Sequence, residues 1–202
     1  ASQVSSAIKK ISLEGNLQRQ NDYLTTLHDV TLGLINHHDS SSVLEAILSH
    51  VTELLHTHHA YVDIVDPTEN MLINKVAVGS FIPQLGFRTA RGEGLTGRVW
   101  DTGESIVVSD YSKWGNNLPE YEWIRTVAGF PLKVAGVVIG VIGVSFDEPD
   151  RVFTSEEIDL ISRFASLAAV VLDHANLYTS AQHEIEERKQ AEETLRRQND
   201  YL

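Results

Sequence analysis

The sequence predicts an α+β domain with a central antiparallel sheet flanked by helices, held between two long terminal helices. Three observations point to this class. Short β-branched runs separated by turn residues fill the middle of the chain, a leucine heptad precedes them, and an uninterrupted helical pattern follows them from Thr154 to Leu202. With 202 residues and 42% hydrophobic content, the chain can form one core with extensions but is short for two full domains.

The first segment, residues 1–36, is predicted to be an amphipathic coiled-coil helix. Its apolar residues Leu17, Leu24, Leu27 and Leu34 are spaced seven, three and seven apart, which is a heptad pattern. Such a helix either pairs with another helix or lies as a single amphipathic helix on its own domain.

Residues 37–175 are predicted to form the domain itself. The run 39–42 (DSSS) ends the first helix and caps a second one, whose apolar positions 43, 47, 51, 54 and 55 share one face. Strands at 60–65 and 71–78 are joined by a turn at 66–70 and form a hairpin of the sheet. Residues 81–90 are then a loop, because Pro83 and Gly86 interrupt any regular element.

The segment 91–104 (RGEGLTGRVWDTGE) concentrates the glycines Gly92, Gly94 and Gly97 and opens a short helix at Leu95. Glycine tolerates positive φ and close backbone approach, so this turn can leave the first amides of the helix facing a cavity. A small polar or anionic ligand could bind there. The alternative is a plain strand-to-helix turn with no ligand.

Further strands are predicted at 105–110, 127–132 and 137–146, with a hairpin turn at 133–136. A final helix begins near Thr154, where Ser155 and two glutamates suit the first turn. No proline or glycine interrupts it, and a helix of more than forty residues is too long for a globular domain. Its second half, residues 176–202, is therefore expected to project as a coiled-coil linker.

In combination, the motifs GEGLTGRVWDTGESIVVSD, GFPLKVAGVVIGVIGVSF and FTSEEIDLISRFASLAAVVLDHA resemble a GAF domain, the small-molecule sensory module of bacterial signalling proteins. With the helix before them they cover roughly residues 25–178. The resemblance implies the GAF fold and a module of a sensor histidine kinase that binds a small molecule and relays its state through helical linkers. A ligand-free spacer that dimerises through its helices is the alternative.

The resemblance also implies where a ligand would bind, between the sheet, the glycine segment and the aromatic loop 111–123. Rings there would stack on a planar ligand while an aspartate accepts a hydrogen bond. Alternatively, the rings fill the core beneath a long loop. The predicted ligand-binding residues are Gly92, Gly94, Leu95, Gly97, Asp110, Trp114, Tyr121, Trp123 and Phe130.

The chain contains no cysteine, which excludes disulfides, thiolate catalysis and cysteine-type zinc sites. GAF relatives that reduce free methionine sulfoxide use cysteines, so the segment is expected to be non-catalytic, and a covalently attached bilin is excluded for the same reason. A loosely bound chromophore, haem or cyclic nucleotide stays open, and the cofactor is unknown. Adjacent histidines, as at His58 and His59, point in different directions on a helix, so no metal site is expected.

A formal net charge of −12 repels phosphate backbones and anionic lipid, so neither nucleic acid nor membrane is expected as a partner. No spanning or signal segment is predicted, which favours a cytoplasmic location.

One internal repeat bears on assembly. The segment 17–24 (LQRQNDYL) recurs at 195–202 (LRRQNDYL) with seven of eight residues identical. Such a period is typical of one sensor plus one connecting helix, so we expect a module of a tandem array with adjacent GAF or output domains. Because successive modules stay in register only when two chains run the same way, a parallel homodimer through the terminal helices is predicted.

Overall fold

The structure is a computed structural model that describes residues 40–199, with side chains described to residue 191 except at position 183. The predicted amino-terminal helix and the repeat at 17–24 lie outside the described residues. So do residues 200–202, which end the second copy of the repeat.

Between residues 40 and 199, three α-helices and six strands are described. The helices are α1 (Ser40–Leu55), α2 (Gly94–Thr102) and α3 (Ser155–Asn199). The strands are β1 (His59–Asp66), β2 (Met71–Val78), β3 (Arg88–Thr89), β4 (Ile106–Val108), β5 (Thr126–Val134) and β6 (Val137–Phe146). All strand pairs are antiparallel, in the order β3-β2-β1-β6-β5-β4. The predicted α+β class with a central antiparallel sheet and a long carboxy-terminal helix is confirmed.

Both predicted hairpins are present. In the β5–β6 hairpin, Val134 pairs with Val137, so the turn is only the two residues Ala135 and Gly136. Their φ angles are +48° and +84°, which suits a two-residue turn whose twist matches the strands. The predicted loop at 81–90 is partly regular, because a 3-10 helix spans Gly79–Gln84 and the short strand β3 follows it.

The sheet has two faces with different coverings. On the first, α1 and the first half of α3 pack on the strands and enclose an apolar core that includes Leu44, Ile47, Val62, Val144 and Phe164. On the second face lie α2 and the loops at 79–87 and 110–124. The core under the helices is continuous, whereas the second face encloses a cavity.

Helix α3 begins with a capping box. The Thr154 hydroxyl accepts a hydrogen bond from the Glu157 backbone N–H at 3.3 Å, and the Glu157 carboxylate accepts one from the Thr154 N–H at 2.8 Å. Arg151 forms an ion pair with the same carboxylate. At 45 residues the helix is about 68 Å long. Side chains 176–182 and 184–191 are exposed.

Among the helices described between residues 40 and 199, none is both long and apolar enough to cross a bilayer.

A candidate ligand cavity on the second face of the sheet

The cavity lies between the hairpin β1–β2, the amino-terminal end of α2 and the loop 110–124, which we call the lid loop. The volume that the centres of water molecules can occupy in the cavity is about 40 Å³. One water molecule needs roughly 10–15 Å³ of such volume. The space therefore holds a few waters or a small organic molecule. Polar side chains among its lining residues include Tyr61, Asp63, Asn74, Glu93, Thr96 and Tyr121.

A buried polar cluster forms the floor of the cavity. Asn74 donates a hydrogen bond from Nδ2 to Asp63 Oδ1 at 2.9 Å, and the Tyr61 hydroxyl lies 2.9 Å from the Thr96 hydroxyl. Asp63 and Asn74 are only 5% and 7% exposed. Buried polar side chains on a central strand are costly unless satisfied, so this cluster needs an explanation beyond packing.

A β-bulge brings the two polar side chains together. Val62 pairs with Val76 but Asp63 pairs with Asn74, so Lys75 has no partner on β1. The extra residue changes which positions of β2 face the cavity: Asn74 lines it, whereas Val76 lies in the core under the helices. Without the bulge, residues two apart would share a face.

Burial sets the electrostatics of the cluster. Loss of hydration raises the pKa of Asp63 to about 7, although hydrogen bonds from Thr96 and Asn74 act in the opposite direction. Burial raises the pKa of Tyr121 to about 12, with a smaller contribution from the Asp63 charge. Asn74 Oδ1 is buried and has no hydrogen-bond partner within the described part of the chain.

Aromatic rings form one wall. The Phe81 ring contacts Tyr61 at 4.6 Å, Tyr121 at 5.9 Å and Trp123 at 5.1 Å between centroids. The Tyr61 ring lies flat against the sheet because its neighbour on β6 is Gly143, where a Cβ would fall 2.1 Å from the ring. Glycine at 143 thus positions the Tyr61 hydroxyl toward Thr96.

The lid loop is tied to the glycine turn by one side chain. Asn116 Nδ2 donates to the carbonyl oxygens of Gly92 at 3.0 Å and Gly94 at 3.4 Å. Within the lid loop, the Tyr111 hydroxyl accepts a hydrogen bond from the Leu118 N–H at 3.1 Å. The Asn116 contacts join the lid loop to the turn that begins α2, at the edge of the cavity.

Of the predicted site residues, Gly94, Leu95 and Tyr121 line the cavity. Gly94 adopts φ +56° and Gly92 φ +82°, as a turn made by glycine requires. Gly97 supports the turn rather than the cavity, since a Cβ there would lie 2.2 Å from the Ala90 carbonyl oxygen.

The two predicted tryptophans, Trp114 and Trp123, lie near the cavity but do not line it. Trp123 packs on Phe81 and on the His59 ring, the latter at 4.7 Å. Trp114 packs on Tyr111 at 5.8 Å. Trp123 therefore packs against the aromatic wall and Trp114 packs within the lid loop, each on a residue that lines the cavity.

Two of the predicted ligand-binding residues, Asp110 and Phe130, lie away from the cavity. Asp110 lies at the surface, where its carboxylate pairs with Lys113 at 2.6 Å and accepts from the Ser112 hydroxyl. These hydrogen bonds, Lys113 first, lower the pKa of Asp110 to about 2. Phe130 lies on the opposite face of the sheet, in the core under α1 and α3, because alternate residues of β5 point to opposite faces.

The side chains of Asp63, Asn74, Thr96 and Tyr61 line the cavity but are not among the predicted site residues. One signal was available, because Asp63 interrupts the apolar run Tyr61–Val65 in a strand that pairs on both sides. Asn74 carried no comparable signal, since its position on the cavity face depends on the bulge.

The histidines near the end of α1 have structural contacts. His59 Nδ1 accepts a hydrogen bond from the Ser80 N–H at 3.2 Å, and its Nε2 lies 3.5 Å from Asp147. Over residues 40–199, no group of three or more His, Cys, Asp or Glu side chains is arranged to hold a metal ion.

The family model described as GAF domain matches residues 37–173. The chain belongs to the GAF family. This membership confirms the resemblance seen in the three sequence motifs.

Solved GAF structures have the same fold. The GAF domain of a phosphoenolpyruvate-protein phosphotransferase from Coxiella burnetii superposes with a TM-score of 0.69 at 22% identity, covering 80% of this chain and 98% of that one. A free methionine-R-sulfoxide reductase from Neisseria meningitidis, solved with its substrate, gives 0.66 at 17% identity, with coverages of 77% and 91%. At identities this low, the similarity shows the fold alone.

A regulatory protein also matches in sequence. The chain is 29% identical over 132 residues to the Nif-specific regulatory protein of Azospirillum lipoferum, covering 60% of this chain and 20% of that protein. The chain thus spans about one fifth of the relative's length. GAF domains commonly act as sensory or regulatory modules of signalling proteins, and this match agrees with that context.

Proposed function

We propose that this GAF domain is a sensory module that binds a small molecule in the cavity under the lid loop and relays its state through α3. The observation that carries the proposal is the buried floor of the cavity. Asp63, Asn74 and Thr96 are buried polar side chains that line the cavity, where a structural spacer would gain more from apolar packing.

The sheet supplies a direct path from the cavity to the signalling helix. On β1, Tyr61 and Asp63 face the cavity, whereas Ala60 and Val62 lie in the core with α1 and α3. A ligand that favours one position of β1 would shift the packing of the helices on the other face.

A screen by 1H–15N NMR tests the sensor proposal against the spacer alternative. Small compounds of cationic, neutral and anionic classes are added singly to the domain. We expect one class to shift the amide signals of Gly94, Leu95 and Thr96 together with signals of α3 near Phe164 and Ala168. Absence of cavity shifts with every class would support the spacer instead.

We further propose that the protein forms a parallel homodimer through its terminal helices. On α3 the large apolar residues Val170, Leu177, Tyr178 and Ile185 are exposed, the second by 62%. They recur seven residues apart in two pairs, so they share one face of the helix. A single helix of this length with few buried residues is marginal in water, and pairing supplies the missing burial.

Light scattering tests the dimer. We expect twice the monomer mass of 22.5 kDa, and Leu177→Glu should return the mass toward the monomer. Thr179→Glu is the matched control, because Thr179 lies on the opposite side of α3 and its hydroxyl donates to the Ala175 carbonyl of the same helix. A wild-type monomer at tens of micromolar would contradict this proposal.

The parent protein is proposed to be a cytoplasmic two-component sensor of the histidine kinase type, with adjacent GAF or output domains. The sequence repeat and the projecting half of α3 support an arrangement in series. Mass spectrometry and sequencing of the protein purified from its native cells would test this, and a parent without a kinase domain would contradict it.

A further inference from the structure

We propose that the cavity recognises its ligand through a primary ammonium group, held between Asp63, Asn74 and the aromatic wall. The inference rests on the proposed sensor function and names the chemical class of the ligand. Three properties of the cavity support it: its charge, its unpaired acceptor and its rings.

The charge of the cavity favours a cation. Asp63 and Glu93 both line it, and its sixteen lining residues, all within the described chain, include no lysine, arginine or histidine. An anionic ligand at the start of α2 is disfavoured by the neighbouring carboxylate of Glu93. Glu93 stands just before the helix and its carboxylate already accepts a hydrogen bond from the Ala90 N–H at 2.9 Å, so an incoming anion would meet a like charge.

The hydrogen-bonding groups require a donor. Asn74 Oδ1 is buried without a partner among the described residues, and a buried acceptor left unpaired costs about 1–3 kcal/mol. Asp63 Oδ1 accepts from Asn74 Nδ2, but a carboxylate has roughly four acceptor positions. A primary ammonium brings three N–H donors, enough to bond both side chains at once.

The aromatic wall suits the same group. Tyr61, Phe81 and Tyr121 line the cavity beside Asp63, and aromatic faces attract a desolvated cation. A quaternary ammonium would satisfy the rings but has no N–H for Asn74. The structure therefore distinguishes primary amines from trimethylated ones. The volume of about 40 Å³ for water centres limits the ligand to a few heavy atoms.

Titration of the domain with small probes tests the inference. Ethylamine, tetramethylammonium, ethanol and acetate are compared at pH 8 by 1H–15N NMR, with the Asn74 side-chain amide and the Thr96 backbone amide as reporters. We expect ethylamine to shift both signals at millimolar concentration, and the other three to bind at least about tenfold more weakly. Free L-alanine distinguishes a simple amine from an amino acid, since tighter binding would show that the first turn of α2 also receives a carboxylate.

Variants assign the contacts. Asp63→Asn keeps the shape and removes the charge, so ethylamine affinity should fall by about tenfold or more; Asn74→Leu should reduce it by about fivefold. Asp101→Asn is the matched control, because Asp101 is exposed on α2. The affinity of this variant for ethylamine should equal that of the wild type. A folded Asp63→Asn that binds ethylamine unchanged would overturn the inference.

Failure of the inference and failure of the sensor proposal give different results. Binding of ethanol or acetate in the cavity without ethylamine would overturn the ammonium assignment and leave a ligand-binding sensor. Cavity signals that respond to none of the probes and to none of the screened classes would overturn both.

Discussion

The two faces of the sheet are made from the same strands but differ in what they bury. The face under α1 and α3 encloses apolar side chains such as Ile47, Phe130 and Phe164, each nearly inaccessible to water. The face under α2 and the lid loop mixes rings with a carboxylate and an amide around a cavity. The first face contributes mainly to stability, whereas the second retains buried polar groups that reduce stability, which agrees with the proposed binding of a small molecule there.

The comparison also shows how the faces are covered. Helices α1 and α3 are long and regular, and they pack directly on the strands. The second face is covered by a nine-residue helix and by loops. Side-chain hydrogen bonds, such as those of Asn116, hold these loops in place. Segments of that kind open at lower free energy than packed helices, so we propose that a ligand would enter from that side.

Removal of a large side chain from the helix-covered face should give the largest effect. Phe164 is fully buried between α3 and the sheet, so Phe164→Ala should destabilise the domain by about 3–5 kcal/mol. Chemical denaturation measures this. The control Val137→Ala, at a position 64% exposed, should stay within about 0.5 kcal/mol of wild type. A loss below about 1 kcal/mol for Phe164→Ala would contradict the assignment of this face as the main core.

The buried carboxylate should make stability depend on pH. The pKa of Asp63 is raised from 3.8 to about 7 in the folded state, so the folded protein binds the additional proton. The contribution of Asp63 to the free energy of unfolding is complete below pH 4. It is lost as the pH rises toward 7, by at most about 4 kcal/mol. Asp63→Asn should flatten this slope and be more stable than wild type at pH 8. Thermal melts between pH 4.5 and 8 measure it.

A result with equal slopes in wild type and Asp63→Asn would show that Asp63 is ionised throughout. In that case another buried group would have to account for any loss of stability between pH 4.5 and 7.

A methyl group at Gly143 should disturb the cavity face selectively. The added Cβ would meet the Tyr61 ring at 2.1 Å, which forces the ring off the sheet and costs about 1–3 kcal/mol. Gly115→Ala is the matched control, because no atom of the described chain lies within 4 Å of a Cβ there. Denaturation and the NMR signals of Tyr61 and Thr96 measure the difference, and an unshifted Thr96 signal would contradict the role given to Gly143.

The smallest effect is expected at the lid. Asn116→Ala removes the hydrogen bonds to Gly92 and Gly94 and should cost about 1 kcal/mol, while the amides of Gly94 to Thr96 exchange with solvent faster. Asn117→Ala serves as control, because its side chain bonds within the lid loop, to the Ser112 carbonyl at 3.2 Å. Equal exchange rates in both variants would mean that Asn116 does not hold the lid closed.

Sequence by itself determined the local elements. The strands 71–78 and 137–146, the turn before Val137 and the cap at Thr154 follow from β-branched runs, glycine at positive φ and a threonine three residues before a glutamate. The glycines of the α2 turn were also evident, because their conformation is a local requirement. Such features depend on neighbours within a few residues, which the sequence contains directly.

Tertiary structure decided which face each strand residue occupies. Alternation shows that Phe130 shares a face with Ala128 and Leu132, but it does not show which covering that face receives. The resemblance predicts Asp110 beside the ligand, whereas pairing with Lys113 keeps its carboxylate at the surface. Asn74 reaches Asp63 only because a bulge at Lys75 changes the alternation of β2, and a bulge is fixed by pairing with a partner strand rather than by its own residues.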